Sequence, residues 1–351
     1  MKKWILSLLS LAAISAFAQE ATKITAGKHN DFGLAYSLPL TVVEVEIEAT
    51  KITTKTGPYY KYAEKYLGVQ EIVTEDLEYW EMNDVTMAAT SIADPEKSYL
   101  VKFKSGNPPS MYLTPEGVLW SVNIEPPVEE SVTERTKGEK APAGTNPYYS
   151  VLSEEQLSAG STAKMAEVAA KQIYRIRESR LNLVTGDVDQ LPADGKSFEL
   201  IMNQLNEQET ALTEMFLGTT KKTKVRKTVR YVPGAESERV VLFRFSKYMG
   251  VVGTEDLGGA PVYLNYKITE NLTQQDSDEK KKDKNKGVAY IVPGKGVVSL
   301  VSGTKTLAEQ EIQIAQLGET YQFPTNLFDD KKAPAKAILN PISGAVQEVV
   351  Q

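Results

Sequence analysis

The chain has 351 residues, of which 41 % are hydrophobic and 25 % are charged, with a formal net charge of −6 and no cysteine. A nucleic-acid-binding domain is usually basic with clustered lysine and arginine, so this mild acidity argues against that class. The lack of cysteine excludes disulfide bonds, thiolate metal ligands and a cysteine nucleophile. The length is still sufficient for one or two ordinary hydrophobic cores without covalent cross-links.

Residues 1–18 have the three parts of a cleavable secretory signal peptide. Lys2 and Lys3 form the charged start, residues 4–14 are apolar, and small residues close the segment at Ala18. The apolar stretch is too short to span a bilayer stably, and no later stretch is long enough to cross a membrane as a helix. We therefore expect the mature chain to work outside the cytoplasm, with no transmembrane span.

Residues 19–124 are predicted to form an N-terminal β-rich domain. Its clearest strand, residues 40–52, alternates between apolar side chains and the three glutamates Glu44, Glu46 and Glu48. Because successive side chains of a strand point to opposite faces, this strand should have one buried face and one acidic face.

The middle of the chain combines a polar segment with two helices. Residues 125–150 are rich in Pro, Glu, Lys, Thr and Gly and offer little to bury, so we predict a linker or mobile loop. Within residues 151–218, apolar side chains recur at helical spacing over residues 162–183 and 198–216, which predicts a helical hairpin that ends at Gly218.

Residues 219–351 contain several short alternating segments separated by Gly, Pro, Asn and Asp, which is typical of a β-sandwich. The predicted fold class is therefore β-rich α+β: an N-terminal antiparallel β module, a central two-helix hairpin and a C-terminal β-sandwich-like domain. The first of these strands carries four basic residues on one face: Lys222, Lys224, Arg226 and Arg230. This face could be solvated, or it could contact an acidic partner, a membrane headgroup or the acidic face of residues 40–52.

A short sequence echo links the two predicted β regions. Residues 65–69 (KYLGV) precede TEDL at 74–77, and residues 247–251 (KYMGV) precede TEDL at 254–257. The first copy has helical spacing and the second is strand-like, so chance similarity is the favoured interpretation and a duplication is the alternative.

Several motifs resemble those of a known family. They are GLAYSLP at residues 33–39, GPYYKYAEKYLG at 57–68, IYRIRE at 173–178 and FRFS at 243–246. Together they resemble an exported family of Bacteroidetes that is known only as a domain of unknown function. The resemblance covers nearly the whole mature chain and implies a periplasmic or outer-membrane-associated setting, but no activity and no catalytic residue.

Few residues are candidates for catalysis or metal binding. His29 is the single histidine and lies close to the predicted mature N-terminus, so a Ser-His-acid triad would depend on it. Zinc sites normally need at least two nitrogen or sulfur ligands, and no cofactor is predicted. Asp187, Asp189 and Asp194 fall in the loop between the two helices, where they could hold calcium or cap the second helix; their spacing is not that of an EF-hand.

Aromatic residues are concentrated after the first strand. They could form a platform on which sugars stack, or they could pack the short helix and the next strand: Tyr59, Tyr60, Tyr62, Tyr66, Tyr79 and Trp80. The packing interpretation is favoured because Tyr59, Tyr62 and Tyr66 recur at helical spacing.

The sequence favours a non-catalytic cell-envelope protein that acts in assembly, scaffolding or binding at the outer membrane. Its expected partner is an envelope or outer-membrane protein, with the basic and acidic strand faces as candidate binding residues. The alternative is a periplasmic hydrolase that uses carboxylates on a glycan or peptide. The oligomeric state is left open.

Cleavage after Ala18 is directly testable. Expression of the full-length chain in a Gram-negative host should yield an exported protein whose first residue is Gln19, because small residues precede that bond. N-terminal sequencing and intact mass measure this. An exported protein that still begins at Met1 would contradict the prediction.

Overall fold

The computed structural model describes residues 34–101, 109–127, 151–190, 192, 194–273, 287–324, 327–328 and 333–351. The predicted signal peptide, His29 and residues 128–150 of the predicted linker lie outside the described residues. The strands are β1 Leu34–Lys55, β2 Leu77–Val101, β3 Met111–Leu113, β4 Leu119–Val122, β5 Thr219–Tyr231, β6 Glu238–Ser246, β7 Gly250–Val252, β8 Ala260–Glu270, β9 Ala289–Ser302, β10 Lys305–Gln322, β11 Lys336–Leu339 and β12 Val346–Val350. The helices are a 3₁₀ turn at Tyr60–Tyr62, α1 Ala63–Leu67, α2 Glu154–Leu157, α3 Thr162–Thr185 and α4 Gly195–Leu217. The β-rich α+β class predicted from the sequence is confirmed.

A three-stranded antiparallel sheet in the order β2-β1-β5 extends along the molecule. β1 has 22 residues, so it is about 70 Å long at the usual rise per residue. It pairs with β2 from Leu34 opposite Val101 to Thr54 opposite Leu77, with two register shifts. The alternation predicted at residues 40–52 is confirmed, and the strand continues at both ends.

The middle of this sheet packs face to face on a five-stranded sheet in the order β10-β9-β8-β6-β7. The apolar side of β1 contributes Val43, Val45 and Ile47, each at most 1 % exposed. They form one core with side chains of the five-stranded sheet such as Leu264 and Leu300. This arrangement is a β-sandwich in which one layer is built by β1, β2 and β5.

A second core lies at the start of β1, under a four-stranded sheet in the order β12-β11-β4-β3. Tyr36 and Leu38 of β1 pack there with Leu119 of β4, Ile291 of β9 and Leu339 of β11. The Ala289 amide donates a hydrogen bond to the Tyr36 hydroxyl (N···O 2.6 Å). This buried hydroxyl therefore joins the first strand to β9.

The strands do not divide at the domain boundaries predicted from the sequence. β5 follows the boundary at residue 219 but pairs with β1 along its whole length, and β11 pairs with β4. Two sheets thus mix strands from both predicted domains, 19–124 and 219–351. Alternation shows where a strand lies along the chain, but it carries little information on which strand will be its neighbour.

The two predicted helices over residues 162–217 are confirmed as α3 and α4. The Ser161 and Asp194 side chains accept hydrogen bonds from the Lys164 and Ser197 amides, so each helix begins at a polar N-cap. α3 ends at Gly186, whose φ of 77° is the left-handed conformation that glycine adopts most readily.

A third core holds the helices to the end of β1. It contains Tyr59, Ile173, Ile176, Leu212 and Phe216. The Tyr59 amide also donates to the Met215 carbonyl (2.8 Å), so the segment after β1 is bonded to the last turn of α4.

The two copies of the sequence echo have different structures. Residues 65–67 end α1, whereas residues 247–251 form the turn from β6 into β7. What they share is a glycine with positive φ, Gly68 at 68° and Gly250 at 74°. Gly68 follows α1, and Gly250 is the first residue of β7.

We expect Gly57 to be needed for the close contact between the segment after β1 and the last turn of α4. A Cβ at this position would lie 2.3 Å from the Met215 carbonyl oxygen, whereas a Cβ at Gly160 would meet nothing within 4 Å. Because the obstacle is backbone, we expect Gly57→Ala to lower the free energy of unfolding by about 1–3 kcal/mol. The matched control, Gly160→Ala, should change it by no more than about 0.5 kcal/mol. Urea unfolding measures the free energy of unfolding of both variants. Equal losses would show that the backbone near Met215 moves aside for a Cβ at residue 57.

Candidate interaction surfaces

The acidic and basic residues singled out in the sequence meet on the outer face of the three-stranded sheet. Arg230 Nε lies 2.8 Å from Glu44 Oε2, and Lys224 Nζ lies 3.0 Å from Glu48 Oε1. Arg226 Nε lies between two carboxylates, 3.3 Å from Glu48 and 3.4 Å from Glu46. Of the three possible contacts considered for the basic strand, the structure shows the one with the glutamates of this same chain. We call this set the charge ladder.

The sheet register creates the ladder. β1 and β5 are antiparallel, with Glu44 opposite Arg230 and Glu48 opposite Arg226. The strand alternation that buries Val45 and Ile47 therefore turns the glutamates outward, next to the basic side chains. Lys222, the fourth basic residue, lies opposite Ile52 and forms no ion pair with a described residue.

The ladder lowers the pKa of Glu48. The hydrogen bond from Lys224 is the largest cause, and the charges of Lys224 and Arg226 act in the same direction. A shallow depression of about 230 Å³ lies beside it, lined by Glu46, Glu48, Asp84, Thr86 and Arg226. Asp84 adds a further carboxylate there, so the depression is a mixed-charge surface.

Asp187, Asp189 and Asp194 are exposed residues between α3 and α4. Asp194 caps α4: its carboxylate accepts hydrogen bonds from the Ser197 amide and the Ser197 hydroxyl, both at 2.9 Å. These bonds lower the pKa of Asp194. Within the described ranges, no three His, Cys, Asp or Glu residues are grouped so that they could hold a metal ion. The structure thus gives Asp194 the capping role and does not bring the three aspartates together as a site.

The tyrosines after β1 divide into two groups. Tyr59 is 5 % exposed and packs against Phe216, and Tyr62 and Tyr66 pack on the helical core. Tyr79 and Trp80 lie in β2 instead. The packing interpretation is therefore confirmed for the first group, and the six residues do not form one platform.

The far half of the helical hairpin is a surface that the sequence did not single out. No described residue between Ile176 and Leu212 is buried. We call residues 177–211 the distal hairpin. Its helices are linked by Arg177 and Arg180, which both bind Glu209 at 2.7 and 2.6 Å.

Four large apolar side chains of the distal hairpin are exposed: Leu181 60 %, Val184 64 %, Leu200 68 % and Ile201 39 %. Leu200 lies outside the stripe formed by Phe198, Met202 and Leu205, which are half-buried. An apolar residue out of phase with the apolar stripe is the signal in the sequence that indicates this surface.

A smaller apolar surface surrounds the β6–β7 turn. Tyr248 is 74 % exposed and Met249 is 60 % exposed. The turn is fixed to the edge of β2, because the Trp80 amide donates to the Lys247 carbonyl (2.7 Å). A Cβ at Gly250 would lie 2.8 Å from the nearest atom of the Trp80 ring, so the ring packs directly on this glycine. None of the described helices is long and apolar enough to cross a bilayer.

The fold and these surfaces define a β-rich α+β protein that combines a sandwich, a smaller sheet and a projecting helical hairpin. The chain belongs to the family described as a domain of unknown function (DUF4831), whose model matches residues 32–347. Neither the curated proteins nor the solved structures contain a match to this chain.

The charge ladder should support the pairing of β5 with β1. Arg226→Glu places a third carboxylate beside Glu46 and Glu48, so we expect a lower melting temperature, with the larger loss at low ionic strength. The double variant Arg226→Glu with Glu48→Arg should recover part of the loss. Lys222→Glu is the matched control, because it makes the same charge change on the same face. Equal melting temperatures for Arg226→Glu and Lys222→Glu would contradict a role for the ladder.

The pH dependence of the same contact has a definite sign. The pKa of Glu48 is lowered in the folded chain, so its contribution is complete above the unfolded value of about 4.5 and is lost as the pH falls through the folded value. Glu48→Gln should therefore cost stability at pH 7 and cost less as the pH falls below about 4. Thermal melts of the wild type and of Glu48→Gln from pH 7 to pH 3 measure the difference in melting temperature. A difference that stays constant over this range would contradict the predicted pH dependence.

Proposed function

We propose that this protein is a non-catalytic binding and scaffolding protein of the cell envelope, acting at the outer membrane through an envelope protein partner. The observation that carries the proposal is the distal hairpin. It exposes four large apolar side chains on a segment in which no described residue is buried. Exposed apolar groups on a projecting element are typical of protein-binding surfaces, because their burial is favourable only when a partner covers them.

The chemistry of the distal hairpin limits what the partner can be. The part of α4 within the distal hairpin has 17 residues, from Gly195 to Ala211, and is about 25 Å long, which is long enough to lie in a groove as an amphipathic helix. Asp187, Asp189 and Asp194 make the tip acidic. The complementary surface is therefore an apolar groove bordered by basic residues.

The proposed location rests on the predicted signal peptide and on the resemblance of the motifs to an exported family. A binding role needs no catalytic group, and this agrees with the way the ladder carboxylates are used. Glu44, Glu46 and Glu48 all form ion pairs with β5. Glu48 in particular is a poor general acid, since its pKa is lowered by the hydrogen bond from Lys224 and by the charges of Lys224 and Arg226.

Site-specific photo-crosslinking in cells tests the proposal. Replacement of Leu200 by a benzophenone amino acid should give one discrete adduct with an envelope protein, since this side chain is 68 % exposed on the distal hairpin. The same group at the exposed Lys305, in the β9–β10 region, is the matched control and should not give that adduct. Leu181→Ser with Val184→Ser should abolish the adduct while leaving the melting temperature within a few degrees, since both side chains are exposed.

Two outcomes would overturn the proposal. One is the same adducts from both positions, which would show random collision. The other is turnover of an envelope glycan or peptide by the purified mature protein, with activity abolished by one Asp or Glu substitution. That second outcome is what the carboxylate-dependent hydrolase requires.

A further inference from the structure

In the part of the chain that the structure describes, the outer edge of β5 has no partner strand. β5 is the last strand in the order β2-β1-β5, and among the described residues it pairs only with β1. The pairing covers 13 residues without a register shift, and residues 220–228 are all exposed. An edge strand of this kind presents a row of unpaired backbone donors and acceptors, which is a template for another strand.

The opposite edge of the same sheet is protected differently. β2 contains Pro95 within an irregularity between Ala93 and Ser98, and its Trp80 amide is bonded to the Lys247 carbonyl. A proline, a bulge and a covering loop are common devices that prevent strand addition. β5 contains no proline and no register shift, and no described strand pairs with its outer edge, so we infer that charge controls access to it.

That charge has a single sign. β5 contains six basic and no acidic residues: Lys221, Lys222, Lys224, Arg226, Lys227 and Arg230. The ladder glutamates engage three of them, and the Lys227 ammonium donates to the Val251 carbonyl. Lys221 and Lys222 form no ion pair with a described residue. A second β5 added to this edge would bring like charges together, which is destabilising, whereas an acidic strand would find cations on both faces.

β1 demonstrates which kind of strand β5 accepts. Its inner residues are apolar and its outer residues are Glu44, Glu46 and Glu48, in antiparallel register with β5. We propose that the open edge of β5 binds an extended acidic segment of a partner protein, which adds to the sheet as a fourth strand. This inference shares with the proposed function the idea that the protein acts by binding, but it does not depend on the distal hairpin.

A synthetic peptide with the sequence of residues 41–51, TVVEVEIEATK, is a suitable probe, because it carries the three glutamates at strand spacing. Fluorescence anisotropy of the labelled peptide should show saturable binding to the full mature chain that weakens as salt is added. Hydrogen exchange should show new protection of alternate amides in residues 219–231. A peptide in which the three glutamates are replaced by lysine should not bind.

The variant Lys221→Glu with Lys222→Glu should weaken binding by about tenfold or more, because it replaces two cations that lack an ion pair with anions at an edge that receives an acidic strand. Lys305→Glu is a control that makes one lysine-to-glutamate change elsewhere, and Lys221→Gln with Lys222→Gln provides a milder pair if the charge reversal disturbs folding. Leu181→Ser with Val184→Ser should leave peptide binding unchanged, so failure here is distinct from failure of the hairpin proposal. Three results would overturn the inference. The first two are no added protection of β5 amides at millimolar peptide and protection located elsewhere in the chain. The third is binding of the lysine peptide as tight as that of the glutamate peptide.

Discussion

The whole structure depends on the alternation along β1. This one strand contributes to two cores, Tyr36 and Leu38 at its start and Val43 to Ile47 in its middle, and the chain just beyond its end supplies Tyr59 to the third. A shift of one residue in the register of β1 would bury the glutamates in the sandwich and expose the valines to water. The free energy needed to bury unpaired carboxylates would then exceed the stability of the domain. The strand is therefore held in place by two cores, and the chain just beyond its end is held by the third.

The link between strand and helices is short and made of backbone. α4 ends at Leu217, Gly218 follows with a φ of 78°, and β5 begins at Thr219, opposite Lys55 of β1. A Cβ at Gly218 would approach the Lys55 carbonyl oxygen to 2.5 Å, so the chain needs glycine there to pass so close. α4 thus continues into the sheet through the single residue Gly218.

The sequence predicted the elements better than their partners. The alternation of β1, the helical spacing of α3 and α4, the Asp194 cap and Gly218 after α4 are local signals, and they placed these elements well. Strand order is not local: β5 and β11 lie in sheets with β1 and β4, far away in the chain, because the cores select their neighbours. The surfaces likewise depend on contacts that are not local. The opposite charges of β1 and β5 are visible in the sequence, but their ion pairs follow from the antiparallel register of the two strands. The exposed Leu200 is recognisable in the sequence only as a residue out of phase with the apolar stripe of its helix.

Charge alone cannot set the register of β5 against β1. A shift of two residues would keep the apolar faces aligned and would place Glu46 opposite Arg226 and Glu48 opposite Lys224, so ion pairs would survive. Such pairs on an exposed face differ little in strength from one arrangement to the next. The fixed point is instead the junction at Gly218, because the last turn of α4 is bonded through the Met215 and Leu217 carbonyls to the Tyr59 and Val73 amides. The helices therefore define where β5 begins, the apolar alternation defines which face it buries, and the ladder adds stability to a register that is already determined. It follows that the basic side chains of β5 are not needed to specify the fold, which leaves their excess charge available for a partner.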